Sequence, residues 1–128
     1  TTSGSAVTAK NAAVDSDSGV FGYVNGSGGT VTQETSKSTT VALNKPCGKI
    51  TTHNAALAAG AAVTFVVLNS TVTLNDSVIV TPSATANYSA ACIAATNGSF
   101  YIRLTNITAG SLSEAVNLNF AIIKGAIS

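Results

Sequence analysis

Ser99-Phe100-Tyr101-Ile102-Arg103-Leu104, followed further on by Asn117-Leu118-Asn119-Phe120-Ala121-Ile122-Ile123, decides the fold of this chain. In the first segment Phe100, Ile102 and Leu104 alternate with Tyr101 and Arg103; in the second Leu118 and Phe120 alternate with Asn117 and Asn119. A period of two throws successive side chains to opposite faces of an extended backbone, so each segment reads as a strand with one dry and one wet face. Working back, Ala62-Val63-Thr64-Phe65-Val66-Val67-Leu68 is the clearest buried strand. Shorter β-branched or apolar runs lie at Val31, at residues 39–43, 49–52 and 78–80, and at residues 87–93. Asn44-Lys45-Pro46, Asn75-Asp76, Thr81-Pro82-Ser83, Asn97-Gly98 and Ala109-Gly110-Ser111 separate them, and Pro46 cannot donate to a ladder. About eight short strands between turn residues predict an all-β fold, an antiparallel two-sheet sandwich with a jelly-roll-like topology. The one stretch with helix propensity, residues 54–60, is too short to stand alone and reads as a turn or single coil.

The domain is expected over residues 29–128, and residues 1–28 form a different kind of segment. They are rich in Ser, Gly, Asp, Asn and Ala, and only Val20-Phe21-Gly22-Tyr23-Val24 can pack. This is the composition of an extended or flexible arm that orders by docking onto something else. A Thr at position 1 is what removal of a start Met leaves, and a complete gene product is the expectation.

Composition narrows the function. Hydrophobic residues make up 45% of the chain but aromatics only 5%, so the core is assembled from small pieces and a lone domain is modestly stabilised. Charged residues are 9%, far below the ~25% of ordinary soluble domains, and the formal net charge is +1. A near-neutral, hydroxyl-rich coat suits a protein held in an assembly, and self-association as a trimer or dimer is expected. Lys10, Lys37, Lys45, Lys49, Arg103 and Lys124 are scattered, which argues against nucleic acid as a partner. The longest apolar stretch, residues 55–68, is broken by Gly60 and Thr64 and is too short for a membrane-spanning helix.

No reactive constellation emerges, and no catalytic, cofactor-binding or metal residues are assigned. His53 has no His, Cys or carboxylate near it in sequence and reads as a turn histidine. The five acids, Asp15, Asp17, Glu34, Asp76 and Glu114, are poor material for a paired-carboxylate hydrolase. Asp15-Ser16-Asp17-Ser18-Gly19 has the beginning of a calcium loop without its closing acid. Gly26 to Gly29 reads as a hinge rather than a phosphate cradle. Cys47 and Cys92 read as buried free thiols, with a bridge between them left open. The Asn-x-Ser/Thr triplets at Asn25, Asn69, Asn75, Asn87, Asn97 and Asn106 are as frequent as composition alone supplies.

Two blocks, residues 29–52 (Gly-Thr-Val-Thr-Gln-Glu-Thr-Ser-Lys-Ser-Thr-Thr-Val-Ala-Leu-Asn-Lys-Pro-Cys-Gly-Lys-Ile-Thr-Thr) and residues 105–125 (Thr-Asn-Ile-Thr-Ala-Gly-Ser-Leu-Ser-Glu-Ala-Val-Asn-Leu-Asn-Phe-Ala-Ile-Ile-Lys-Gly), carry a resemblance to known proteins. Over roughly residues 29–125 the chain resembles a family of short bacteriophage and prophage virion proteins of head-decoration, head-fibre and tail-fibre type. The resemblance implies a non-enzymatic role on the exterior of the phage particle after assembly in the host cytoplasm. The first expectation is a capsid decoration or cement protein, in contact with the major capsid protein and with copies of itself through the arm. The alternative is a head-fibre or tail-fibre tip binding a host glycan or receptor through loops such as residues 69–76 and 81–87, with Tyr23, Tyr88 or Tyr101 as the aromatic platform.

Overall fold

The computed structural model describes residues 21–127. Eight strands form two four-stranded sheets packed face to face: β1 (Gly29–Thr32), β2 (Val41–Ala42), β3 (Cys47–Thr51), β4 (Ala62–Leu68), β5 (Ser77–Ser83), β6 (Tyr88–Thr96), β7 (Ser99–Asn106) and β8 (Asn117–Ile123). One sheet has the order β1-β3-β8-β5 and the other β2-β4-β7-β6. The chain changes sheet at each of β3→β4, β4→β5, β5→β6 and β7→β8, while β6 and β7 form a hairpin within one sheet. With β3 paired to β8 and β4 to β7, this is the winding of a jelly roll carried by six strands. The remaining two, β1 and β2, join the edges in parallel, β1 along β3 and β2 along β4, a refinement of the expected antiparallel pattern.

The alternation that identifies the strands also builds the core. Ile50, Val80, Leu118, Phe120 and Ile122 face inward from one sheet and meet Val41, Phe65, Val67, Phe100, Ile102, Leu104 and Tyr88 from the other. Phe100 and Phe120 touch across the two layers with ring centroids 5.3 Å apart and planes tilted at 53°, a favourable aromatic geometry. The regularity breaks in β6, where Ile93 is an extra residue between Cys92 and Ala94 and is thrown outward. Gly98, at φ +91°, closes the tight β6–β7 turn.

Residues 54–60 contain no helix; Leu57 instead makes a lone antiparallel bridge with Leu112, its N–H and C=O both bonded to that residue. Asn54 therefore caps nothing helical, and Gly60 turns the chain into β4 at φ +71°. The turn at Gly26 (φ +94°) is closed by Ser27 N–H donating to Val24 C=O, and Gly29 already belongs to β1, so the residues expected to form a hinge make a turn followed by a strand. Of the expected arm, residues 1–20, with Lys10 and the Asp15 to Gly19 segment, lie outside the described residues. Its last part lies against the sandwich, the Tyr23 hydroxyl donating to the Ile122 carbonyl at 2.6 Å. Cys47 projects from the outer face of β3 and Cys92 lines the inner side of β6; both are free and half-buried, and burial pushes each thiol above its ordinary pKa.

Candidate functional site

The sandwich has two chemically different ends. At one end β1 begins and β8 finishes, so the arm and the segment after β8 both meet the body there. This end is clamped by Asp76. Its carboxylate accepts from the Lys124 ammonium, from Gly125 N–H at 3.0 Å and from Thr73 N–H at 2.8 Å, while Lys124 also donates to the Thr71 carbonyl. Burial alone would raise the Asp76 pKa, but Lys124 and the Gly125 and Thr73 groups outweigh it and hold the carboxyl down to about 2. Gly125 must be glycine, because a Cβ there would lie 1.7 Å from the Asn75 carbonyl oxygen. A carboxyl whose folded pKa lies below its ordinary value of 3.8 contributes stability that is complete above that value and disappears as the pH falls through about 2. Asp76→Ala is accordingly expected to cost about 1 kcal/mol near neutrality, with the exposed Lys124 screened by solvent, and nearly nothing at pH 2. Urea unfolding of the two proteins across that pH interval checks this, and an equal difference at both ends of it would contradict the clamp.

The neighbouring loop, expected as a recognition surface, is spent on structure. Asn69 is buried; its Oδ1 accepts from Thr71 N–H and Oγ1, and its amide donates to the Lys45 carbonyl at 2.7 Å. Asn106 repeats the device at the end of β7, its Oδ1 accepting from Thr108 N–H and Oγ1 while its amide reaches the Leu57 and Gly110 carbonyls. Two of the Asn-x-Thr triplets are thus turn caps at strand ends, where the side chain imitates a backbone turn.

The opposite end is closed by a buried polar network. Gln33 donates to the Lys37 and Thr39 carbonyls and accepts from His53 N–H at 3.1 Å. Lys37 is only 4% exposed, and its ammonium donates to the carbonyls of His53 and Glu114. Burial lowers the Lys37 pKa, and the charge of Glu114 partly restores it. His53 Nδ1 accepts from Ala55 N–H at 3.0 Å, so the ring caps its own turn, and it is half-buried where the sequence reading expects a solvated turn histidine. Lys37 looks in the sequence like another scattered surface cation; the carbonyls that hold it come from segments far along the chain.

Beside this network opens a cavity of about 320 Å³, lined among others by Ser83, Thr85, Asn87, Tyr88, Glu114 and Asn117. Its walls are the end of β5, the β5–β6 loop and the segment leading into β8. Tyr88 is 4% exposed, and its hydroxyl is shut off from solvent beside the Glu114 side chain. Burial, then the Glu114 side chain acting as hydrogen-bond acceptor and as a charge, push its pKa up to about 12. Ala84, in the loop above, is held at φ +61°, a left-handed conformation unfavourable for a residue with a Cβ. Asn87 anchors the loop through its backbone, its N–H to Thr85 Oγ1 and its C=O from Ile107 N–H, while its side-chain amide makes no bond among the described residues.

The three tyrosines expected as platforms have three different fates. Tyr23 spends its hydroxyl on Ile122, Tyr101 is half-buried on β7, and Tyr88 is buried with its hydroxyl shut off from solvent. The loops at residues 69–76 and 81–87 lie at opposite ends of the sandwich and do not form one surface. Among the described residues no three of His, Cys, Asp and Glu lie close enough to hold a metal ion, and no helix is long and apolar enough to cross a membrane.

The fold and its ends define a two-sheet β-sandwich of jelly-roll winding, clamped at the end where the arm enters and opening into a polar cavity at the other. Compared with protein-family models, curated proteins and solved structures, the chain finds no match.

Proposed function

We propose that this chain is a structural protein of the exterior of a bacteriophage particle, a capsid decoration or cement protein that coats or braces the head. The observation that carries the reading is how its ionisable groups are used. Lys37, Asp76 and Lys124 each fasten one loop to another part of the body, and His53 caps its own turn, in a chain with few charges to deploy. That is the chemistry of a molecule that keeps its shape and covers a surface. The resemblance of residues 29–52 and 105–125 to virion surface proteins points the same way.

The arm end is the side to face the shell. There the outer face of the β8–β5 pair carries Ile79 and Ile123, 51% and 52% exposed, on either side of Ala121. Apolar side chains of this size on a sheet face, beside an incoming arm, suit contact with the major capsid protein or with a second copy of the chain. Copy number on purified particles tests the proposal. A cement protein is present in amounts comparable to the major capsid protein, and a band amounting to a small fraction of it overturns the reading.

One observation favours the second reading, a fibre tip. The polar cavity lies at the end away from the arm, separated from it by the length of a seven-residue strand, roughly 23 Å. A domain tethered at one end and open at the other is built to present the open end.

A further inference from the structure

We infer that Asn25, at the junction of the arm and the sandwich, is a site of spontaneous deamidation, and that the fold confines this chemistry to one of the two Asn-Gly pairs in the chain. It holds for a head decoration protein and a fibre tip alike. Deamidation at Asn-Gly begins when the glycine backbone nitrogen attacks Cγ of the asparagine. A C–N bond forms, the side-chain nitrogen leaves as ammonia, and water opens the resulting succinimide ring at either carbonyl. The products are Asp, or isoAsp with the side-chain methylene drawn into the main chain, and nothing is oxidised or reduced. The reaction is fast where the next residue has no Cβ to crowd the ring, its N–H is not held by an acceptor, and the asparagine amide is free to swing onto it.

Eleven asparagines occur in the chain, and only Asn25 and Asn97 precede glycine. At Asn97 the hairpin blocks the reaction twice over. The Gly98 N–H donates to the Val72 carbonyl at 3.1 Å, and the Asn97 Oδ1 accepts from Leu74 N–H at 3.1 Å. The pair is also gripped between Thr96 and Ser99, which stand opposite each other in the β6–β7 ladder. Ring closure there waits for a local opening that breaks both bonds. At Asn25 those restraints are missing: among the described residues neither its side chain nor the Gly26 N–H makes a hydrogen bond. Both residues are exposed, and the turn rests on one bond, Ser27 N–H to the Val24 carbonyl at 3.2 Å. Nothing lies within 4 Å of the Cβ position of Gly26, so the ring has room to form.

The position of the pair gives the change a consequence, because the chain is fixed on both sides of it. On one side stands Tyr23. The β3–β8 register, with Cys47 opposite Ala121, sets Pro46 opposite Ile122. Pro46 accepts from Ile122 N–H at 2.8 Å but has no N–H to return, and the Tyr23 hydroxyl fills that place on the Ile122 carbonyl. On the other side β1 is laddered to β3 from Gly29 onward. An isoAsp lengthens the main chain by a methylene between these two anchors, and either product adds a negative charge, taking the formal net charge from +1 to zero. The lengthened turn no longer matches the span from Tyr23 to Gly29, and the hold of Tyr23 on Ile122 loosens.

Peptide mapping by mass spectrometry, with fragmentation that distinguishes Asp from isoAsp, tests this on the full chain. One sample is kept folded in warm, mildly alkaline buffer, and a second is kept in urea until the unfolded chain has converted at both positions. The expected result is Asp and isoAsp at residue 25 of the folded protein, conversion at residue 97 at least about tenfold slower, and similar rates at the two positions in urea. Asn25→Gln, whose longer side chain would have to close a larger ring, should remove the converted species. The converted protein, separated on its added charge, should be cut after Tyr23 by chymotrypsin sooner than the unconverted protein. Residue 25 remaining an amide in the folded chain, or residue 97 converting there as fast as residue 25, overturns the inference, and equal cutting of the two fractions overturns the loosening.

Discussion

Phe100→Ala should destabilise the protein by about 3–5 kcal/mol, a large fraction of the whole stability of a domain this size. The chain has four Phe and no Trp, and Phe21 is 89% exposed, so three phenylalanines carry the bulk of the core. Phe100 is fully buried and is the ring through which β7 meets Phe120 of β8 in the opposite sheet. Around it stand Val, Ile and Leu already committed to their own rotamers, which cannot collapse far into the cavity that Ala would leave. Phe100→Leu, closer in volume, should cost less than half as much. Urea unfolding monitored by circular dichroism gives both values, and a loss below about 1 kcal/mol for the Ala variant would mean that the two sheets are not joined through this contact. The same scarcity of large side chains supports the proposal that this domain works in contact with neighbours. A sandwich whose layers meet mainly through β-branched and small residues gains more than most from being held in place by neighbours.

How far the sequence discloses this architecture depends on the range over which each signal acts. The longer strands β4, β7 and β8 are legible because alternation of Phe100, Ile102 and Leu104, or Leu118, Phe120 and Ile122, with exposed residues is a local property that burial simply confirms. Two-residue β2 carries too little pattern to show its partner, and its parallel pairing with β4 is fixed by the long-range register Val41 to Val67. The helix propensity of residues 54–60 loses to the Leu57–Leu112 bridge, a contact across more than fifty residues that no local window contains. The buried Lys37 is invisible for the same reason, since Glu114 comes from the far side of the chain. The Asn-x-Thr turn caps have a short-range signature as well: Asn69 follows β4 and Asn106 ends β7, the positions where an Asx turn belongs. The cavity required residues 83–88 and 114–117 to be brought together, and the β5–β8 register alone does that.

Gly48→Ala should detach β1, and with it the arm, while leaving the rest of the sandwich folded. A Cβ at position 48 would lie 2.5 Å from the Gly29 carbonyl oxygen, 2.9 Å from Leu43 Cδ2 and 3.2 Å from the Phe120 ring. Leu43 and Phe120 are side chains with some freedom, but the Gly29 oxygen is backbone, and the parallel β1–β3 ladder from Gly29↔Gly48 to Thr32↔Thr51 must shift to make room. Gly48 faces the interior between Cys47 and Lys49, so its side of the strand offers no solvent into which the methyl could turn. Overpacking of this kind costs about 1–3 kcal/mol, and here the least costly escape is for the four-residue edge strand β1 to lift away. Hydrogen exchange should therefore accelerate at the β1 amides, with β4, β7 and β8 unchanged, and proteolysis should cut before Cys47 sooner than in the native chain. Gly110→Ala, with open space around its Cβ position, should change neither. If the arm is the part of the molecule that meets the shell, a particle assembled with Gly48→Ala protein sheds its coat more readily on dilution than one carrying Gly110→Ala. Equal retention of the two variants, with β1 shown to be loosened, would move the point of attachment from the arm to the exposed face around Ile79 and Ile123.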